Sequence, residues 1–125
     1  LTPRVVIVTP TRDLGLQSLI DFGMVLAELA AASPKRVAFI ASGDQAHTYD
    51  GDGPYGYDPA AAEFDATIAR LVREGRLEGL LDIPKFLVDA AKRDSPWQLA
   101  ILLASTNGFR CAGSWCRIRY PRITA

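Results

Sequence analysis

Val5-Val6-Ile7-Val8, closed by Thr9-Pro10, and Val37-Ala38-Phe39-Ile40-Ala41 decide the expected fold. Both are unbroken apolar runs rich in β-branched residues, the pattern of strands buried on two faces of a parallel or mixed sheet. Between them Leu16, Leu19, Ile20, Gly23, Leu26, Ala27 and Ala30 recur at helical spacing. That spacing predicts a helix over about 14–32, with Asp13 as its N-cap and Ser33-Pro34 as its stop. Strand, helix, strand is a βαβ unit, normally right-handed with parallel strands. The expectation is an α/β fold: a mostly parallel or mixed central sheet flanked by helices.

Working outward, Ser42 to Asp58 is a Gly- and Asp-rich loop carrying His47, Tyr49, Tyr55 and Tyr57. It follows the carboxyl end of an expected strand, where α/β sheets place their chemistry. Asp58-Pro59 caps a helix whose buried stripe is Phe64, Ile68, Leu71 and Val72, ended by Gly75. A short helix over about 84–93 is expected to turn Phe86, Leu87 and Ala90 inward. Ser95-Pro96 opens a last helix, Trp97 to about Ala104, apolar nearly all round and so expected to be buried. Residues 106–125 carry four Arg, two Cys and a Trp without clear periodicity. Residues 1–105 are read as one α/β unit and 106–125 as a divergent tail.

The whole chain has 125 residues, 49% of them hydrophobic, and a formal net charge of zero. That length suits one domain with a real core. The balanced charge argues against non-specific nucleic-acid binding, which needs a basic surface. No apolar stretch is long enough to span a bilayer, and no secretory signal is visible. A cytoplasmic location is the default expectation. Cys111 and Cys116 lack the second pair that a four-cysteine zinc site needs, and read as ordinary thiols.

His47, the only histidine, lies in Ser42-Gly43-Asp44-Gln45-Ala46-His47. Two readings stay open on pattern alone. One is a general acid or base near neutral pH with Asp44 orienting its ring. The other is a solvated loop histidine beside a turn aspartate. Tyr55 and Tyr57 either contact a ligand or pack a Pro/Gly-rich loop. Arg12 suits an acidic or phenolic ligand, Arg36 reads as a solvated strand-edge residue, and Trp97 as core.

Several segments in order resemble a known family: Val5 to Arg12, Arg36 to His47, Gly53-Pro54-Tyr55-Gly56-Tyr57-Asp58-Pro59, Glu63-Phe64-Asp65, Leu80-Leu81-Asp82-Ile83 and Asp94-Ser95-Pro96-Trp97-Gln98. Together they resemble the C-terminal part of the class III extradiol ring-cleavage dioxygenases, the family of the catalytic subunit of protocatechuate 4,5-dioxygenase, whose fold Memo-like proteins share. The resemblance covers roughly the first 105 residues. It implies Fe(II)-dependent cleavage of a catecholic ring by O₂, with iron held by two histidines and a carboxylate. It implies that His47 is the acid/base on a substrate hydroxyl; Asp44, close to it in sequence, is the candidate to orient its ring, and Arg12, Tyr55 and Tyr57 are the candidate contacts for an acidic phenolic substrate. It places the carboxylate ligand at Asp94, which reads equally as a complement to the following helix N-terminus.

One histidine cannot make a two-histidine site. The resemblance therefore implies a partner chain carrying the N-terminal half with the other ligands. A non-catalytic Memo-like binding module, or an inactive fragment, is the alternative. The tail departs from the family's ending. Read in a shifted frame with permitted codons it gives a family-like segment, so a frameshifted C-terminus is a further expectation. Sheet edges and apolar surface left bare by a missing half would favour a homo-oligomer, a dimer or larger, with the tail packed across the interface.

Overall fold

The computed structural model describes residue 2 and residues 4–11, 13–93 and 95–108, with side chains characterised to residue 105. The described residues form helices: α1 (Leu16–Ala32), α2 (Ala60–Glu74), a 3₁₀ helix η1 (Leu77–Asp82), α3 (Lys85–Ala90) and α4 (Pro96–Gly108). They contain no sheet; the only strand-type pairing among them is an isolated antiparallel bridge between Tyr49 and Tyr57. This corrects the α/β expectation, and with it the βαβ unit. The Val5–Val8 and Val37–Ala41 runs form no ladder, and neither is buried on two faces: Ile7 is 87% exposed and Ile40 83%. A β-branched run specifies a strand only where a neighbouring strand takes its N–H and C=O groups. Propensity of this kind is mostly packing against neighbours rather than a backbone preference. Without such neighbours the two runs stay irregular.

The helices follow local signals closely. Ala60 N–H donates to Asp58 Oδ1 at 2.8 Å, so Asp58 starts α2 by satisfying an otherwise orphaned amide. Gly75 ends α2 in the left-handed region, at φ 67°, with its N–H on the Leu71 and Val72 carbonyls. The expected stripe of Phe64, Ile68, Leu71 and Val72 is buried. It forms the main core with Ala61, Leu77, Leu80, Leu87, Ala91 and Leu103. Because α2 is rooted by fully buried Phe64, the polar residues beside Phe64 are held in fixed positions at the core's rim.

α1 begins two residues later than expected. Gly15 takes the N-cap position without a side-chain cap, and Asp13 instead accepts from Thr11 Oγ1 at 3.2 Å. Its buried positions are Leu19, Gly23 and Ala27, one helical stripe of mostly small residues. They let α1 lie close against α4, where Leu19, Ala100 and Ile101 form a second cluster. A Cβ on Gly23 would run into the Ile101 carbonyl oxygen and come within 2.9 Å of the Ala104 Cβ.

α3 is shorter than expected. Leu87 is buried and Val88 packs half-buried against the main core, but Phe86 is 72% exposed. α4 extends past the expected end at Ala104 to Gly108, with Ala100, Ile101, Leu103 and Ala104 buried. Trp97, expected in the core, is half-buried beneath the Arg93 guanidinium, 5.0 Å from its ring centroid. The tail beyond residue 108, with its frameshift and interface expectations, lies outside the described residues.

Candidate functional site

The loop from Ser42 to Asp58 is irregular by composition, yet polar contacts to three helical segments hold it down. Ala46 N–H donates to Asp65 Oδ1 at 3.0 Å, and the Tyr49 hydroxyl donates to Asp65 Oδ2 at 2.8 Å. Asp65 lies on α2, next to Phe64. His47 N–H donates to the Ala91 carbonyl at 2.9 Å. Thr48, itself buried, donates from Oγ1 to the Ala90 carbonyl at 3.2 Å. Both of those carbonyls are at the C-terminal end of α3, where helix carbonyls lack intrahelical partners.

The third attachment is at the start of α4. Ser95 Oγ donates to Gln45 Oε1 at 2.8 Å, and Ser95 is fully buried. Gly43 lies so close to it that an added Cβ would stand 2.8 Å from the Ser95 Cβ. Lys92, in the turn between α3 and α4, is the one described non-glycine residue with a left-handed backbone, at φ 48°. Such a conformation costs a non-glycine residue of order 1 kcal/mol.

These contacts deliver His47 half-buried, its side chain 23% exposed, with Nδ1 3.8 Å from Asp44 Oδ2. The distance exceeds a hydrogen bond, but it places a carboxylate on the Nδ1 side of the ring. Asp44 is itself oriented: its Oδ1 accepts the Gln45 N–H at 2.9 Å. The Tyr55 ring covers His47 at a tilt, with centroids 5.5 Å apart. Tyr55 and Tyr57 both remain largely exposed. The Tyr49 phenol is pushed up to about 12, first by burial and then by the Asp65 carboxylate accepting its proton.

The structure thus brings His47, Asp44 and Tyr55 together on one loop, with Tyr57 further along it. Arg12 and Asp94 lie outside the described residues. Sequence reasoning missed the residues that hold the loop: Gln45, Thr48, Asp65 and Ser95. Asp65 and Ser95 stand inside the motif segments, but contacts across such sequence separations leave no periodic trace. Among the described residues, no group of three or more His, Cys, Asp or Glu is placed to hold a metal ion. No helix among them is long and apolar enough to cross a membrane.

Residues 3–111 match the family of the catalytic LigB subunit of aromatic ring-opening dioxygenase. The chain belongs to this family. It is also similar to the curated protein CA_C1420 of Clostridium acetobutylicum, at 35% identity over 95 residues. That alignment takes in 76% of this chain but 20% of the relative, so the chain spans about a fifth of that protein's length.

Proposed function

We propose that this chain supplies the proton-transferring and substrate-contacting face of an aromatic ring-opening dioxygenase, acting on a catecholic substrate with O₂ by extradiol cleavage. The observation that carries the reading is the fixed His47, its Nδ1 side facing Asp44, in a chain of the LigB family. In this reading the proton on the Asp44 side is carried by Nδ1, and Nε2 is the nitrogen that accepts one from a substrate hydroxyl. The same nitrogen returns that proton as the ring opens. An imidazole suits both directions because its ordinary pKa lies near neutrality. Tyr55, Tyr57 and Arg12 are proposed as the substrate's contacts, through ring stacking and charge.

A non-haem Fe(II) of the extradiol type needs two histidines and one carboxylate. This chain's one histidine is assigned to proton transfer, so the residues present do not fit that group by themselves. Asp94 is proposed as the carboxylate this chain adds, with both histidines contributed by a separate polypeptide segment. The domain assignment, residues 1–105 as the catalytic-family unit and 106–125 as a divergent tail, belongs to the same proposal.

The test is ring-opening by the complete enzyme that contains this chain, beside the isolated chain with added Fe(II). The complete enzyme is expected to open catechols and to lose about 10²-fold or more in kcat with His47→Ala. The isolated chain is expected to do no better than free iron. Full activity of the His47→Ala enzyme would overturn the role of His47. Complete absence of ring-opening would favour a non-catalytic binding module.

A further inference from the structure

We infer that Asp65 is a positioning residue for His47: one carboxylate on α2 staples the loop on both sides of the imidazole. Its Oδ1 takes the amide of Ala46, the residue just before His47. Its Oδ2 takes the hydroxyl of Tyr49, two residues after it. His47 and Thr48 therefore sit inside a short loop segment closed by a single side chain. Further tethers, His47 N–H to the Ala91 carbonyl and Thr48 Oγ1 to the Ala90 carbonyl, run to α3, and the Thr48 carbonyl accepts the Asp58 N–H. Asp65 can act as an anchor because its neighbour Phe64 is fully buried in the main core, which fixes the carboxylate relative to α3. Ionised, a carboxylate offers acceptors only, matching the two donors it meets. The raised Tyr49 phenol, at about 12, follows partly from the same contact. The catalytic meaning of the staple rests on the reading of His47 as the proton-transfer residue; the geometry does not.

Three substitutions separate positioning from general stability. Asp65→Asn keeps an acceptor for the Ala46 amide and removes the charge beside Tyr49. Tyr49→Phe removes only the second bond, and Asp65→Ala removes both. The readout in the full chain is the set of NMR cross-peaks between the His47 and Tyr55 rings, whose centroids lie 5.5 Å apart, together with exchange of the Ala46 amide. Asp65→Ala is expected to lose the cross-peaks and the Ala46 protection while the Phe64 methine signals keep their native shifts. Asp65→Asn and Tyr49→Phe are expected to retain both. In Asp65→Asn the Tyr49 phenol should titrate below about 12, toward the ordinary 10.

Cross-peaks that survive Asp65→Ala would overturn the inference. Should that variant not fold, the unmodified chain decides: an Ala46 amide exchanging as fast as an open-loop amide overturns the inference, and a protected one supports it. In the complete enzyme, Asp65→Ala should lower kcat about a hundredfold, with Asp65→Asn close to the unmodified enzyme. Lost cross-peaks with unchanged kcat would leave the staple standing and refute proton transfer by His47, so the two failures are distinct.

Discussion

Gly43→Ala should move the histidine loop off α4. The added Cβ would meet the Ser95 Cβ at 2.8 Å and the Ser95 Cα at 3.2 Å. Carbon atoms settle at about 3.5–4.0 Å, so the contact must open by roughly 0.7–1.2 Å. Ser95 is fully buried and cannot retreat into the core, whereas Gly43 is on the exposed side; the loop is what gives way. Overpacking of this kind costs about 1–3 kcal/mol, so the melting temperature should fall by at least about 4 °C for a domain of this size. The same displacement loosens the bond between Ser95 and Gln45, two residues before His47. Misplacing a catalytic group by 1 Å can cost about 10²-fold in rate. Gly51→Ala is the control, since its Cβ would meet nothing nearer than the Tyr57 Cβ at 3.9 Å in the same loop. Thermal melts and the cross-peaks between the His47 and Tyr55 rings read the two effects. A Gly43→Ala chain that melts with the unmodified one and keeps those cross-peaks would refute the loop's attachment to α4.

Gly23→Ala should destabilise the chain despite a gain of about 1 kcal/mol in helix propensity. The new Cβ strikes the Ile101 carbonyl oxygen, part of a helix backbone that cannot step aside, and chemical denaturation should show a lower midpoint. Tyr49 makes stability fall at high pH. Its folded pKa, about 12, lies above the ordinary 10, so its contribution is complete below pH 10 and is lost as pH rises toward 12. Tyr49 is about half exposed, so solvent screens the effect to less than about 1 kcal/mol. Urea midpoints compared between pH 9 and pH 11.5 should drop further in the unmodified chain than in Tyr49→Phe; an equal drop would contradict the linkage.

The parts of the fold legible in the sequence were those written in local chemistry. Asp58 beside Pro59, the Phe64–Val72 stripe and Gly75 specify α2 from start to stop without help from the rest of the chain. Ser33-Pro34 likewise ends α1. The strands failed because Val5–Val8 and Val37–Ala41 state only what those segments would do beside a partner. Phe86 misled because the short helix meets the core through Leu87 and Val88, which leaves Phe86 in solvent. Of the proposed site, the sequence singled out His47 and the nearby Asp44, since one histidine in a Gly-rich loop stands out in any sequence; the structure adds that the two lie 3.8 Å apart. Its supports were not. Asp65 and Ser95 reach the loop across long stretches of chain, and a polar contact of that kind depends on how helices pack.

The most direct test of the proton-transfer role of His47 is chemical rescue in the complete enzyme. His47→Ala leaves a space where the ring stood, and free imidazole can enter it as a replacement acid and base. Ring-opening is measured with a catechol under air as imidazole is raised, for the unmodified, His47→Ala and Asp44→Asn enzymes. Asp44 lies exposed at 3.8 Å from the ring, so Asp44→Asn should cost about tenfold or less, in keeping with an exposed pair worth at most about 1 kcal/mol. The account predicts a near-inactive His47→Ala enzyme whose rate climbs with imidazole while the unmodified rate stays flat. A His47→Ala enzyme that works without imidazole, or that no concentration of imidazole revives while the substrate still binds, would contradict it.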